Sequence, residues 1–268
     1  MRPRKCSGGP SRPPGPANRP RKYESLRYFI ISDIHSNFEA LQAVVAEIDT
    51  LGAGELLCLG DIVGYGPSPN ECCDLLRARN VIAIAGNHDE AAATGAGLER
   101  FNPVAREALA WTQDELSEPN RAYLEALPRE RTIGDFLMVH GSPVRHFDYI
   151  LDTHDAEQAL DLAAKPLTFV GHSHVAEVYY RGPSGRTSRE RLLHGGRIDI
   201  VPEYRYIVNV GSVGQPRDRN PQASFGCYDN GVARVEIRRV TYDVDAVRAR
   251  MVQASLPRIL RDRLVAGW

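Results

Sequence analysis

Five short clusters of aspartate, asparagine and histidine lie along this chain, each at the end of an apolar run. They are Asp33-Ile34-His35, Gly60-Asp61, Gly86-Asn87-His88-Asp89, His140-Gly141 and Gly171-His172-Ser173-His174. Five of the chain's eight histidines fall inside them, so nitrogen donors gather beside carboxylate and amide oxygens. That mixture suits a hydrolytic site holding two metal ions. Taken singly, most clusters have a plainer explanation. An Asp-x-His pair often ends a strand, Gly-Asp is turn chemistry, and a lone histidine such as His140 usually satisfies its hydrogen bonds in a core. Gly-Asn-His-Asp is balanced between ligation and helix capping. Gly-His-Ser-His is more specific, because alternate residues of an extended segment point the same way. Their shared placement decides the matter: one site is assembled from neighbouring strand ends.

The elements that must position these residues follow from periodicity. Tyr28–Ile31, Leu56–Leu59 and Val81–Ile84 read as buried strands ending at the first three clusters. Between them, Glu39–Ile48 places Leu41, Val44, Val45 and Ile48 at helical spacing, and a second helix follows Pro69-Asn70. Residues 94–128 read as a helical insertion near the site, with Pro103 and Pro119 in first turns. Phe136–Val139 and Leu167–Val170 are strands running into the last two clusters, separated by a helix over Asp155–Ala164. The remainder reads as β-structure, with strands over Glu177–Tyr180, Tyr206–Val210, Ser224–Tyr228 and Val232–Val240, closed by a helix from Asp243 to Ala254. Strands alternating with helices predict βαβ units and a mainly parallel sheet covered on both faces, with ligands bound beyond the strands' carboxyl ends.

Composition restricts the function classes. Residues 1–22 carry seven basic and no acidic residues and almost no apolar ones, so they read as a disordered Pro/Gly/Arg-rich tail, either inert or an electrostatic tether. The remaining 26 basic and 34 acidic residues make 23–268, read as one domain, acidic by about eight charges. A broad duplex-binding surface is therefore not expected. Five cysteines without a CxxC pair suggest no disulfide framework and a cytoplasmic setting. No apolar run is long enough for a membrane span, so no membrane partner is expected.

In order and surroundings, the clusters resemble the calcineurin-like metallophosphoesterase superfamily. The surrounding segments Asp33-Ile34-His35-Ser36-Asn37, Gly60-Asp61-Ile62-Val63-Gly64-Tyr65-Gly66-Pro67, His140-Gly141-Ser142-Pro143 and Asn209-Val210-Gly211-Ser212-Val213-Gly214-Gln215-Pro216-Arg217 are similar to its small bacterial and archaeal branch. The resemblance implies an α/β fold, a four-layer α-β-β-α sandwich of the metallophosphoesterase type. It also implies one metal held by Asp33, His35 and His174, another by Asn87, His140 and His172, and Asp61 bridging both. A hydroxide between the ions would attack phosphorus, and His88 would donate a proton or hydrogen bond to the leaving group, so Asp61 and His88 are the expected catalytic residues. The donor set suits manganese first, with iron, zinc, cobalt or nickel as alternatives.

Four further residues have two readings each. Asp89 would orient His88 or cap the following helix; Asn37 would touch a phosphoryl oxygen or act as an N-cap. Arg145 and His146 would line the substrate pocket or face solvent. Phosphoprotein phosphatases of the superfamily carry Asp and Arg three and four residues beyond the bridging aspartate, where this chain has Gly64 and Tyr65. The expected activity is therefore hydrolysis of phosphodiesters or small phosphorylated molecules, with diesters favoured because the phosphate-gripping arginine is missing. The competing readings are a phosphoprotein or nucleotide phosphatase, and a catalytically silent interaction scaffold.

Overall fold

The structure, a computed structural model, describes residues 26–268; the expected tail over residues 1–22 lies outside the described residues. β1 (Arg27–Ile31), α1 (Phe38–Thr50), β2 (Glu55–Cys58), α2 (Pro69–Ala78) and β3 (Ile82–Ala83) form two parallel βαβ units. α1 begins where Asn37 Oδ1 accepts from Ala40 N at 3.1 Å, satisfying an amide the helix itself cannot. It buries Leu41, Val44, Val45 and Ile48, the spacing that makes a helix amphipathic. Cys72 and Cys73 are buried on α2, where burial raises both thiols and removes them from thiolate chemistry.

The helical stretch contains α3 (Asn87–Thr94), a short turn over Leu98–Arg100, α4 (Pro103–Glu115) and α5 (Glu118–Glu125). Then come β4 (Glu130–Ile133), β5 (Phe136–Val139), α6 (Thr153–Leu162), β6 (Leu167–Val170), β7 (Ala176–Arg181), β8 (Thr187–Arg191), β9 (Gly196–Asp199) and β10 (Arg205–Val210). β11 (Ala223–Asp229), β12 (Arg234–Val240), α7 (Val244–Gln253) and α8 (Arg258–Ala266) complete the order.

Here the periodicity reading needs correcting. It predicts one mainly parallel sheet, but the chain builds two mixed six-stranded sheets, ordered β3-β2-β1-β11-β12-β9 and β4-β5-β6-β10-β7-β8. The cause lies in the C-terminal half. Short turns return β11 to β12 and β7 to β8, and such connections join only antiparallel neighbours. β11 then pairs antiparallel with β1, and β7 with β10. Alternation along each strand feeds two cores. Phe29 and Ile31 of β1 face the helices, whereas Tyr28 and Ile30 face the other sheet. β10 does the same, sending Tyr206, Val208 and Val210 between the sheets and Ile207 towards α6. Tyr28, Phe136, Phe169 and Tyr228 knit the sheets with edge-on ring contacts such as Tyr28–Phe136 at 5.0 Å. The layers are helix, sheet, sheet, helix, the sandwich that the resemblance implies.

Candidate metal centre and substrate cavity

Five parallel strands deliver the five clusters to one rim. β1 ends at Asp33 and His35, β2 at Asp61, β3 before Asn87 and His88, β5 at His140, and β6 at His172 and His174. The chain leaves these strands through left-handed turns: Asp33, His35, Asp61, His172 and His174 all have φ between 49° and 65°. Asp and His tolerate that region better than most residues, but each such residue is strained and persists only when its surroundings hold it. Hydrogen bonds between the loops do so. Asp33 N donates to Gly60 O (3.0 Å), His35 N to Asp61 O (2.9 Å), and Gly171 N to His140 O (2.8 Å). Across the sheets, His172 N donates to the Asp33 carboxylate at 3.0 Å. The result is a polar centre with Asp33, His35, Asp61, His140, His172 and His174 all buried.

The hydrogen bonds around these rings define where lone pairs point. His35 Nδ1 lies 3.1 Å from Val63 O, His140 Nδ1 2.8 Å from Leu59 O, and His174 Nδ1 2.5 Å from Gln215 O. A carbonyl only accepts, so each Nδ1 carries a hydrogen, and each ring, when neutral, presents a bare Nε2 inward. His35 Nε2 and His174 Nε2 are 3.1 Å apart, as are His140 Nε2 and His172 Nδ1. Facing lone pairs at that distance repel unless a cation or a proton lies between them. Asp61 Oδ2 is 3.6 Å from His35 Nε2 and 3.3 Å from His140 Nε2, touching both pairs. Its other oxygen accepts from His88 N at 2.9 Å, in the first turn of α3. Asn87 Oδ1 and His172 Nε2 are buried and have no hydrogen-bond partner. Two groups could hold a metal ion: Asp33, His35, Asp61 and His174, and Asp61, His140 and His172.

Electrostatics point the same way. Burial pushes His35 well below the ordinary imidazole value, His172 down to about 3, and His174 down with the help of Arg217, so these rings are neutral and able to ligate. Burial also opposes charge on His140, but the Asp61 carboxylate outweighs it and raises the ring to about 9. Burial works against the charge on Asp33 and Asp61 as well; His174 for the one and His140 for the other hold them ionised. Two ionised carboxylates buried among imidazoles form a charge pattern that a cation would stabilise.

A cavity of about 520 Å³ opens onto this centre, a size typical of small-molecule sites. Asp61, Asn87, His88, His172, His174 and Arg217 form its polar floor, and Ala96, Gly97 and residues 99–102 with Ala105 form one wall. His88 packs its ring between His35, Tyr65 and Phe101 at 4.5–4.8 Å, with an unpartnered Nδ1. Asp89 takes the capping reading: it accepts from Gly86 N and from Ile62 N and Val63 N, pinning the loop that carries Asp61.

Two expectations about substrate contacts are corrected. Asn37 is buried away from the cavity, its Oδ1 capping α1 and its Nδ2 donating to Gly214 O at 2.9 Å. Arg145 does not line the cavity; its side chain is 77% exposed and pairs with Asp148 at 2.5 Å. His146 likewise points to Glu130. Conversely, Phe147 and Tyr149 do line it, and Tyr149 stacks on His172 at 3.8 Å. Aromatic residues in the loop just after a ligand-bearing strand were the available signal for both.

The molecule is a two-sheet sandwich whose strand ends carry donor groups that could hold metal ions. Residues 26–231 match the calcineurin-like phosphoesterase superfamily domain, and the chain belongs to that superfamily. It is 36% identical over 244 residues to the uncharacterized protein MJ0912 of Methanocaldococcus jannaschii, covering 89% of this chain and 97% of that one. The crystal structure of a metallophosphoesterase from Sphaerobacter thermophilus is 39% identical and superposes with a TM-score of 0.80, covering 91% of this chain and all of that one. The hypothetical protein PH1004 of Pyrococcus horikoshii shares the fold, with a TM-score of 0.75 at 22% identity over 91% of this chain and 99% of that one. Among the described residues, no helix is long and apolar enough to cross a membrane.

Proposed function

We propose that this protein is a phosphoesterase dependent on two divalent transition-metal ions, manganese foremost, acting on phosphodiesters or small phosphorylated molecules. The observation that carries this reading is the pair of opposed imidazole contacts at 3.1 Å flanking Asp61, whose Oδ2 lies 3.6 Å from His35 Nε2 and 3.3 Å from His140 Nε2. The donors fit the ions, since histidine nitrogen with carboxylate and amide oxygen suits manganese, iron, zinc, cobalt or nickel better than magnesium or calcium. Asp33, His35 and His174 would hold one, Asn87, His140 and His172 the other, with Asp61 common to both. Bound there, the ions would supply an activated water nucleophile and neutralise charge on the phosphoryl group.

The chain's own residues do the rest. Asp61 sets the two halves in register, fixed by the His88 amide. Val63, Leu59 and Gln215 carbonyls orient the three rings and make their inner nitrogens better donors. His88 stands in the cavity floor beside Asn87, placed to give a hydrogen bond or proton to the departing oxygen. The wall that includes Phe101 and Ala105 would limit substrate size. A silent scaffold would have no use for buried, unpartnered atoms such as Asn87 Oδ1, each of which costs about 1–3 kcal/mol.

Metal analysis of the purified protein, coupled to a generic phosphoester assay before and after chelation, tests the reading. About two transition-metal ions per chain and chelator-sensitive turnover are expected. Full activity in metal-free protein rules it out.

A further inference from the structure

The cavity contains a cation despite Tyr65 at the expected arginine position, delivered from a different loop. Arg217 follows β10, and its backbone is tied to the metal-site residues themselves. Arg217 N donates to His174 O at 3.2 Å, Gly214 N to Asp33 O at 3.0 Å, and Ser212 Oγ to Asp33 O at 2.8 Å. The next residue, Asp218, is buried in an ion pair with Arg239. The Arg217 guanidinium lies over the Tyr65 ring, 6.0 Å from its centroid, and donates to Gln215 Oε1 at 3.1 Å. Its Nε is buried without a partner, and among the described residues no carboxylate forms an ion pair with it.

The other arginines around the cavity differ. Arg129 makes a two-pronged pair with Glu90, both contacts 2.8 Å, and Arg100 sits beside Glu99 with its side chain 80% exposed. Of the described arginines lining the cavity, Arg217 alone has no carboxylate within ion-pair distance, and it lies beside the metal-site histidines. A partly buried guanidinium with a free donor is unfavourable unless an anion completes it.

We propose that Arg217 is the substrate's phosphate clamp and that the site is consequently set for phosphomonoesters. The inference rests on the phosphoesterase reading above and names the substrate class for it. A monoester dianion presents three terminal oxygens, a diester monoanion two. Whatever the ions contribute is available to both, whereas a guanidinium fork beside them adds to the substrate that has an oxygen and a charge to spare. This reverses the diester preference expected from Tyr65 alone: that ring is a support for Arg217. In the reaction, the bond between phosphorus and the ester oxygen breaks and one forms to the oxygen of water. One water proton ends on the leaving alcohol, and inorganic phosphate is the second product, held by the same clamp.

The test uses manganese-loaded full-length protein and two substrates with the same leaving group, para-nitrophenyl phosphate and bis(para-nitrophenyl) phosphate. Wild-type protein should show the higher kcat/KM on the monoester. In Arg217→Gln the monoester-to-diester ratio of kcat/KM should fall roughly tenfold, the loss of one charge-assisted contact, with metal content unchanged. Arg217→Lys should recover part of it, since a point charge replaces the fork. A fall of less than about threefold, on the same scale of one such contact, overturns the proposal. Calorimetric binding of inorganic phosphate supplies a readout independent of turnover and should weaken by a similar factor in Arg217→Gln. If wild-type protein hydrolyses neither ester with any ion, the phosphoesterase reading fails, and phosphate binding alone decides Arg217 by the same threshold. Should Arg217→Gln not fold or not hold metal, Arg217→Lys carries both comparisons.

Discussion

Asp33, His35 and His174 on one side of Asp61, and Asn87, His140 and His172 on the other, are held in different ways. In the first group both imidazoles are locked by backbone carbonyls, and the Asp33 carboxylate accepts the His172 amide on both oxygens at 3.0–3.2 Å. In the second, His140 is locked at 2.8 Å to Leu59 O, but His172 has an unpartnered Nε2 and leans on the exposed ring of Tyr149. Asn87 Oδ1 has no partner at all. The donors of the first group are fixed by protein hydrogen bonds, whereas the second keeps two unpartnered atoms, Asn87 Oδ1 and His172 Nε2, on residues that line the cavity. Orienting partners of this kind alter metal affinity by roughly 10–100-fold, so the two halves should bind ions unequally, with the looser one nearer the substrate.

The largest effect should come from removing what the halves share. Asp61→Ala deletes the only residue common to both groups and should abolish turnover and leave the protein with little bound metal by elemental analysis. Retention of two ions in that variant breaks the picture of a shared carboxylate. Next in size is His88→Ala. His88 adjoins Asn87 in sequence but offers its amide, not its ring, to Asp61. A group acting on the leaving oxygen is worth about 10²–10⁴ in rate, so kcat should drop by roughly that factor while metal content stays constant. Metal loss as deep as in His172→Ala would make it a ligand. Asn87→Ala sharpens the comparison directly. It should lower metal content from about two ions per chain towards one, weakening the second ion by roughly 10–100-fold, whereas His35→Ala should disturb the tighter ion. Equal losses in the two variants, measured by chelator titration, would show the halves to be equivalent.

The unequal halves also mark what could be read from the residues beforehand. The ligand-type clusters were legible because chemistry demands particular residue types at strand ends, and β1, β2, β5 and β6 announce themselves as apolar runs. Antiparallel partners were not legible. β8 and β9 carry Arg189, Arg191 and Arg197 among few apolar residues, so alternation is faint, and their order in the sheets depends on pairings far apart in sequence. α8 was missed because only Leu260 and Leu264 are buried on it, and their partners Val247 and Met251 come from α7. The substrate side failed for a related reason. Asn37 and Arg145 were candidates by proximity in sequence, yet the first is consumed by the cap of α1 and the second by Asp148. What faces the cavity instead, Phe101, Phe147 and Tyr149, is set by how residues 94–128 and the loop after β5 fold over the rim.

The smallest expected effect tests that rim. Tyr149 stacks on His172 with 22° between the ring planes, and no hydrogen bond holds the outer nitrogen of that histidine. The stack restrains this ring from its outer face, and so how its inner nitrogen would aim at the proposed second ion. Aromatic pairs of this kind contribute about 0.5–1.5 kcal/mol, which corresponds to roughly a two- to twelvefold change in affinity. Tyr149→Ala should weaken the second ion by that factor and leave the first unchanged, read as a shift of only one phase in a chelator titration. Tyr149→Phe keeps the ring and should titrate as the wild type, even though the hydroxyl beside Arg217 is gone. If Tyr149→Phe weakens the second ion as much as Tyr149→Ala does, the hydroxyl and not the stack is the restraint. If Tyr149→Ala moves both phases together, the two halves are mechanically coupled through Asp61 and the asymmetry between them is not independent.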